Sequence, residues 1–514
     1  MKSKPYGLLA ILAILKLVLP FLLQSSVYEP HRDEFLYLEQ GHHMAWGYLE
    51  VPPLLSIFAW LTHLFGGGIL WIKFWPSLFG TAVFIVAGNI IISLGGKSFS
   101  LLLLFLPFIF GVYVRLFFLF QANSPEVFFW TMIAFSIIRF IQTAENRWLY
   151  VFGISIGFGM MSKYSVAFFV VSMLIALVLT KYRRLFLNKH FWYSLILAVI
   201  IFLPNLLWQY NHNFPIVHHM RELQQTQLQY INPFVFLKDQ LLMNLPCFFI
   251  WLAGLFYVSF SPKETRFRFV GWAYVAVIVL FLLSRGKNYY TLGVYPILFA
   301  FGAYKLEQMT TRRRKWLRYA FVLFPVALGS IMLPIGLPIF PPRQLASFYQ
   351  KMAIEKTGAL KWEDLRDHPL PQDFADMLGW NELADKTESF YGALPDTIKE
   401  NLLIYCRNYG QAGALHFYGR GKRFRQKIFS DNGSFLLWIP DRLSFKHLIF
   451  TGRRMPDKDD EVFQHFQSVT IIDSVTNSYS RQFGDKIIFF RNLDSSGLEI
   501  ARKGLAEMKK EFHR

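Results

Sequence analysis

Eleven stretches of this sequence stay apolar for about the length a helix needs to cross hydrocarbon, roughly 20 residues. They lie at 7–27, 69–94, 98–119, 124–142, 147–161, 164–180, 190–209, 236–259, 268–284, 288–306 and 316–335. No water satisfies the backbone inside a bilayer, so such a series folds as a helical bundle. Composition agrees: 54% of residues are hydrophobic and only 17% charged, against about 25% charged in soluble domains. A soluble enzyme and a disordered chain are both excluded. The expected architecture is a polytopic α-helical membrane protein with about 11 transmembrane helices. Residues 54–65 are too few to span and read as a helix lying along the membrane surface. The first segment is long for a signal-peptide core and lacks a cleavage motif, so it reads as a retained anchor.

The net charge of +19 invites a nucleic-acid reading, but its distribution argues otherwise. Residues 1–336 hold 27 basic and 11 acidic side chains, whereas residues 337–514 hold 26 and 23. The excess belongs to the apolar part, where short basic loops mark the cytoplasmic face; no nucleic-acid partner is expected. With the N-terminus inside, the inner loops collect 18 of those 27 basic groups, among them Lys2, Lys4, Lys97, Arg139, Arg147 and Lys305. An odd helix number then carries the polar tail to the outer side. The expectation is a multi-pass protein of a bacterial inner membrane, its N-terminus cytoplasmic and its tail periplasmic. The transmembrane part is 1–336, with a first external loop at 28–66, and the extracytoplasmic part is 337–514.

Within the tail, short strands are expected at 402–405, 427–429, 435–439, 448–451, 470–472 and 486–490, with an amphipathic helix at 498–512. That is the pattern of a compact α/β domain. Pro334, Pro338, Pro341 and Pro342 mark its boundary with the last membrane helix. Cys247 and Cys406 lie in different parts of the chain and in no zinc or redox spacing.

Five of the acidic residues before position 337, Glu29, Asp33, Glu34, Glu39 and Glu50, fall in the first external loop. A solvated polar loop is the plain explanation. Adjacent carboxylates at the membrane face, beside His31, Arg32, His42 and His43, also suit a general base acting on an acceptor hydroxyl or amine. Segment 284–290, SRGKNYY, interrupts apolar sequence where two helices meet outside. There Arg285 and Lys287 either snorkel to the interface or neutralise a lipid phosphate, with Tyr289 and Tyr290 donating hydrogen bonds. Lys163, between two helices, adds a third cation. Glu126 follows Ser124 and Pro125 at a helix start, where it complements the helix dipole. Lys16, a cation in mid-span, is expected to pair internally. His218 and His219 beside Glu222 are weak metal ligands; no cofactor is expected, and a divalent metal is left open.

Taken in order, these motifs resemble the protein O-mannosyltransferase and aminoarabinose transferase family, GT-C glycosyltransferases that use polyprenyl-phosphate sugars. The resemblance rests on Asp33-Glu34, on 41–54 (GHHMAWGYLEVPPL), on 123–130 (NSPEVFFW) and on 161–165 (MSKYS). It continues through 203–209 (LPNLLWQ), 287–296 (KNYYTLGVYP) and, in the tail, 408–419 (NYGQAGALHFYG). It implies a GT-C fold and an inverting sugar transfer from a polyprenyl-phosphate donor to a glycan, lipid or protein acceptor. Asp33 takes the place of the family's general base, with Glu34 in support. Lys163, Arg285 and Lys287 would stabilise the departing lipid phosphate; Tyr289, Tyr290, His42, His43 and Glu126 would line the substrate site. Two departures stand out. Ser124 holds the place of a second family carboxylate, with Glu126 two residues later, and Val51 replaces a lysine found before the first-loop proline in some relatives.

The competing class is a transporter or flippase of lipid-linked sugars, since charged groups amid many helices also suit a translocation path. Such sites lie near the bilayer midplane, whereas the charges here gather at one face. A non-catalytic scaffold is the third reading, and the intact Asp33-Glu34 pair speaks against it.

Overall fold

The computed structural model describes residues 5–456 and 460–512, so Lys2 and Lys4 of the charge argument lie outside it. Each of the eleven apolar stretches is helical over most of its length. Six helices are long and apolar enough to cross a membrane unaided: Tyr6–Leu23, Ile69–Ser93, Asn123–Thr143, Lys189–Asn211, Thr265–Leu283 and Leu317–Gly336. Two bent pairs raise the number to eight among the described residues. The expected eleven full spans are therefore too many by this measure, and helix parity ceases to be an argument for the side of the tail.

The shortfall has local causes. Val166–Val178 turns through 109° into Lys181–Leu187, whose lysine and arginines seek water. Pro233–Leu242 and Leu245–Phe260 meet at 63°, where Pro246 supplies no amide hydrogen. Arg147–Ser162 and Tyr295–Met309 have only 16 and 15 residues. Close packing holds the bundle together: a methyl group on Gly302 would sit 1.7 Å from the Ile250 carbonyl oxygen, and one on Gly254 2.0 Å from that of Leu298. Only glycine lets the Phe248–Phe260 and Tyr295–Met309 helices approach so closely.

The first external loop is more ordered than its polar sequence suggests. Besides the expected surface helix, Leu54–Leu64, it forms a helix over Arg32–His42. The reason is a reciprocal cap: His31 Nδ1 accepts from the Asp33 amide at 3.2 Å while Glu34 accepts from the His31 amide at 2.7 Å. This is capping-box logic with histidine in place of serine or threonine, which is why the sequence pattern hides it.

The tail builds a five-stranded sheet: β1 (Leu402–Cys406), β2 (Ile428–Phe429), β3 (His447–Gly452), β4 (Phe466–Ser474) and β5 (Lys486–Leu493). Its order is β2-β1-β3-β5-β4, with β1 parallel to β2 and β3, and β5 antiparallel to β3 and β4. The expected strand at 435–439 is instead part of a 3₁₀ turn, Gly433–Trp438. Its adjacent apolar side chains Phe435 and Leu436 are both buried, so a short continuous apolar run imitated a buried strand. One face of the sheet packs on Tyr409–Tyr418 and Trp380–Ala393, the other on the terminal helix Ser495–Lys510.

Candidate active site

The five carboxylates of the first loop divide by what they touch. Glu29 accepts from the Trp380 and Asn381 amides at 2.7 and 3.1 Å, capping a tail helix; burial pushes it up to about 6 despite those donors. Glu34 is fully buried and receives Lys73 Nζ at 2.6 and 2.7 Å, together with the Phe120 amide at 2.6 Å. Glu39 meets His416 Nδ1 at 2.9 Å and His43 at 3.6 Å. Glu50 accepts from the Ser434 amide and hydroxyl, both at 2.6 Å. Three of these stitch the loop to the tail and Glu34 ties it to the bundle. Glu34 is thus sealed away from any substrate, and its contribution to Asp33 is positional.

Asp33 is different. A quarter of its side chain, 25%, is exposed. Its Oδ1 accepts from the Tyr409 hydroxyl at 2.7 Å and faces Arg32 Nε at 3.4 Å; its Oδ2 accepts from Gln121 at 3.2 Å. Burial alone would raise this carboxyl, but His31, Arg32 and the Tyr409 hydroxyl outweigh it and hold it below the ordinary range. It is an ionised, partly accessible carboxylate fixed by three separate segments of chain. On the Arg32–His42 helix, Asp33, Tyr37 and Gln40 share one face by the 100° step. The Tyr37 hydroxyl, pushed up by burial, feels the charges of Asp33, Glu50 and Arg32.

The cations gather around a second point at the same end of the bundle. Lys163 Nζ donates to Asn123 Oδ1 at 2.5 Å and to Glu126 at 2.9 Å, and lies over the Tyr290 ring at 4.8 Å and the Tyr289 ring at 5.5 Å. Ser165 donates to the other Glu126 oxygen. Glu126 is therefore buried as the partner of Lys163 and not as an isolated helix-start charge. Lys287 donates to Gln227. Burial draws its ammonium down, Glu363 and Asp33 oppose this, and Lys163 adds to it. Lys163, Lys287, Asp33 and Arg32 thus share one electrostatic neighbourhood.

Arg285 stands apart. It is exposed, adopts a left-handed backbone with φ 51°, and donates Nη1 to the Gln229 carbonyl at 2.7 Å. The expected third phosphate ligand is spent on an outer loop, so in this structure it braces the 227–230 segment and does not join Lys163.

His42 and His43 also leave the Asp33 face. Together with Glu39, His63, His416 and Trp438 they line a cavity of about 400 Å³ on the other side of the same helix. His42 stacks on His63 at 3.7 Å and His43 on Trp438 at 4.3 Å. Burial draws His42 down, with the neighbouring imidazoles helping and Glu39 opposing. Among the described residues no group of three or more histidine, cysteine or acidic side chains is arranged to hold a metal ion. His218 pairs with Glu511 at 3.0 Å.

Sequence reasoning missed Lys73, Tyr409 and Gln121 as site-building residues. Lys73 carried a signal, a lone cation inside the apolar run 69–94, of the same kind that drew attention to Lys16. Lys16 does pair internally, donating to the Ser77 carbonyl at 2.9 Å beneath Phe117. Tyr409 appeared only as a member of the 408–419 motif and Gln121 carried no signal, because only the fold brings them to Asp33.

The profile of the dolichyl-phosphate-mannose-protein mannosyltransferase family matches residues 50–208. Solved structures extend the likeness to nearly the whole chain. ArnT from Cupriavidus metallidurans bound to undecaprenyl phosphate is similar with a TM-score of 0.62 and 13% identity, covering 94% of this chain and 97% of that one. Its apo form is similar at 0.58 and 14%, with the same coverage. The archaeal oligosaccharyltransferase AglB from Archaeoglobus fulgidus, in complex with an inhibitory peptide and a dolichol-phosphate, is similar at 0.50 and 12% over 87% of this chain and 69% of that one. A comparison with curated protein sequences finds no match. At such identities the likeness establishes the fold.

Proposed function

We propose that this chain, whose fold is that of the GT-C glycosyltransferases, is an integral-membrane inverting transferase. It moves a sugar from a polyprenyl-phosphate donor to a lipid, protein or glycan acceptor on the outer face. The observation that carries the reading is the pairing of Asp33, an ionised carboxylate with an accessible edge, with Lys163 and Lys287 at the same end of the bundle. The family-profile match and the lipid phosphates bound in the similar structures support the donor class.

In this reading Asp33 accepts the proton of an acceptor hydroxyl or amine as that atom bonds to the anomeric carbon. The bond from that carbon to the phosphate oxygen breaks, and the lipid phosphate departs with the electron pair. Lys163 and Lys287 neutralise the charge that develops there, an arrangement that lowers such barriers most where the donors are already in place. Arg32 and Tyr409 keep Asp33 ionised and oriented. The tail faces outward because it supplies Tyr409 to the same site.

The test is transfer of a radiolabelled sugar from a panel of polyprenyl-phosphate donors to an envelope extract, with Asp33→Asn run in parallel. Transfer by the native protein and its loss in the variant support the reading; equal transfer by both removes Asp33 as the base. A folded native protein silent on every donor returns the weight to the transporter class.

A further inference from the structure

At the far end of the bundle from Asp33 lies a cavity of about 520 Å³ that the proposed transfer does not use. The Asn123–Thr143 helix connects the two ends: Glu126 stands near its start and Arg139 near its finish, about 20 Å apart at 1.5 Å per residue. Arg139, Gln142 and Thr143 come from that helix and Arg266 from the 3₁₀ turn Pro262–Phe267, while Tyr6 and Asn89 add polar groups from two further helices. Convergence from separate segments distinguishes this site from the basic runs at 181–189 and 312–318, which follow one another along the chain.

Its chemistry favours an anion. Among the described residues that line it, none is acidic. Arg139 rests its guanidinium over Trp148 at 5.3 Å and donates one N–H to Gln142 at 2.9 Å; Gln142 in turn donates to Ser93 at 3.0 Å. An arginine held flat on an aromatic ring keeps its remaining N–H edge available for bidentate contact with a phosphate. Arg139 pairs with the neutral Gln142, whereas Lys73 and Lys163 at the Asp33 end each already hold a carboxylate.

The surroundings favour a lipid as carrier of that anion. Asn89 donates to the Ile85 carbonyl one turn away, and the same helix leaves Ile85 and Leu78 exposed. On the adjacent Tyr6–Leu23 helix, Ile11, Ile14 and Leu15 are exposed too. An apolar surface of two helices therefore runs from the cavity toward the bundle's middle, where acyl or prenyl chains lie in a membrane. Polar cradles of this kind between helix ends suit lipid headgroups.

We propose that this cavity binds the phosphate of an anionic membrane lipid in the leaflet opposite the Asp33 site. The carrier is either a phosphodiester phospholipid or a polyprenyl monophosphate, and the inference does not rest on the proposed transfer reaction. The full chain in detergent would be titrated separately with phosphatidylglycerol, phosphatidylcholine, undecaprenyl phosphate and inorganic phosphate, and bound lipid counted by native mass spectrometry. At least one of the two lipid phosphates should bind more tightly than phosphatidylcholine, and inorganic phosphate should bind weakly. Arg139→Gln with Arg266→Gln should weaken the preferred lipid about thirtyfold, while Lys163→Ala leaves that stoichiometric site filled. The preferred arm names the carrier. Equal binding of phosphatidylcholine, unchanged binding in the arginine variant, or loss through Lys163→Ala alone would overturn the proposal. Should the double variant fail to fold, the exposed Arg266→Gln alone carries the same test with a severalfold loss.

Discussion

Lys73→Met separates the roles of the two neighbouring carboxylates. Lys73 Nζ reaches both Glu34 oxygens, at 2.6 and 2.7 Å, and the two side chains are 1% and 0% exposed. After the substitution Glu34 keeps two backbone donors, His31 at 2.7 Å and Phe120 at 2.6 Å, but no formal positive charge. Breaking one side of a buried pair costs about 3–5 kcal/mol, because the remaining charge stays in a low dielectric. The two surviving bonds place this case near the lower end, about 3 kcal/mol or a factor of about 150 in the folding equilibrium. The assay is thermal unfolding of the purified protein in detergent, followed by tryptophan fluorescence. Lys73→Met and Glu34→Gln should each unfold at markedly lower temperature, and the double variant should recover most of the loss because no lone charge remains buried. Native-like stability in either single variant, or losses that simply add in the double, would refute the assignment of Glu34 as a structural partner.

Asp33→Asn should behave in the opposite way, unfolding near the native temperature while transfer falls about 10²–10⁴-fold, the usual span for a lost general base. Tyr409→Phe removes a donor that helps hold Asp33 low. Since a base with a raised pKa is protonated sooner as pH falls, the acid limb of kcat/KM should move to higher pH, which a pH–rate profile checks. Lys287→Ala should slow transfer and weaken the donor, whereas the outward Arg285→Ala should leave kcat within about threefold of native, as befits an exposed contact. A methyl group on Gly413 would meet Phe35 Cβ at 2.6 Å, so Gly413→Val should force the tail helix off the first loop. Its cost should be about 1–3 kcal/mol, read as a lower unfolding temperature and faster proteolysis between the two parts.

The tail's architecture was partly legible. Five of the six expected strands lie within observed strands or overlap them, because β-branched and aromatic runs bounded by turns are a local signal. The turn at Gly433–Trp438 imitates a strand since a short run of consecutive buried apolar residues arises equally from a 3₁₀ turn pressed on a core. The Arg32–His42 helix was hidden for a related reason: its cap is a histidine whose partner is a glutamate already committed elsewhere.

The sequence by itself determined that the chain is a helical membrane protein with a mixed polar tail, since apolar length and composition are properties of single segments. It also determined where charge is concentrated, and hence that Asp33, Lys163 and Lys287 were worth naming. Only the tertiary structure decided which of five loop carboxylates is held ionised with part of its side chain exposed and within the field of Lys287. Glu29, Glu34, Glu39 and Glu50 are each consumed by a donor between 39 and 384 positions away in the chain, and Asp33 is held by donors from Gln121 and Tyr409. A carboxylate's chemistry depends on what neutralises it, and those partners are fixed by packing between distant segments, which no local pattern records.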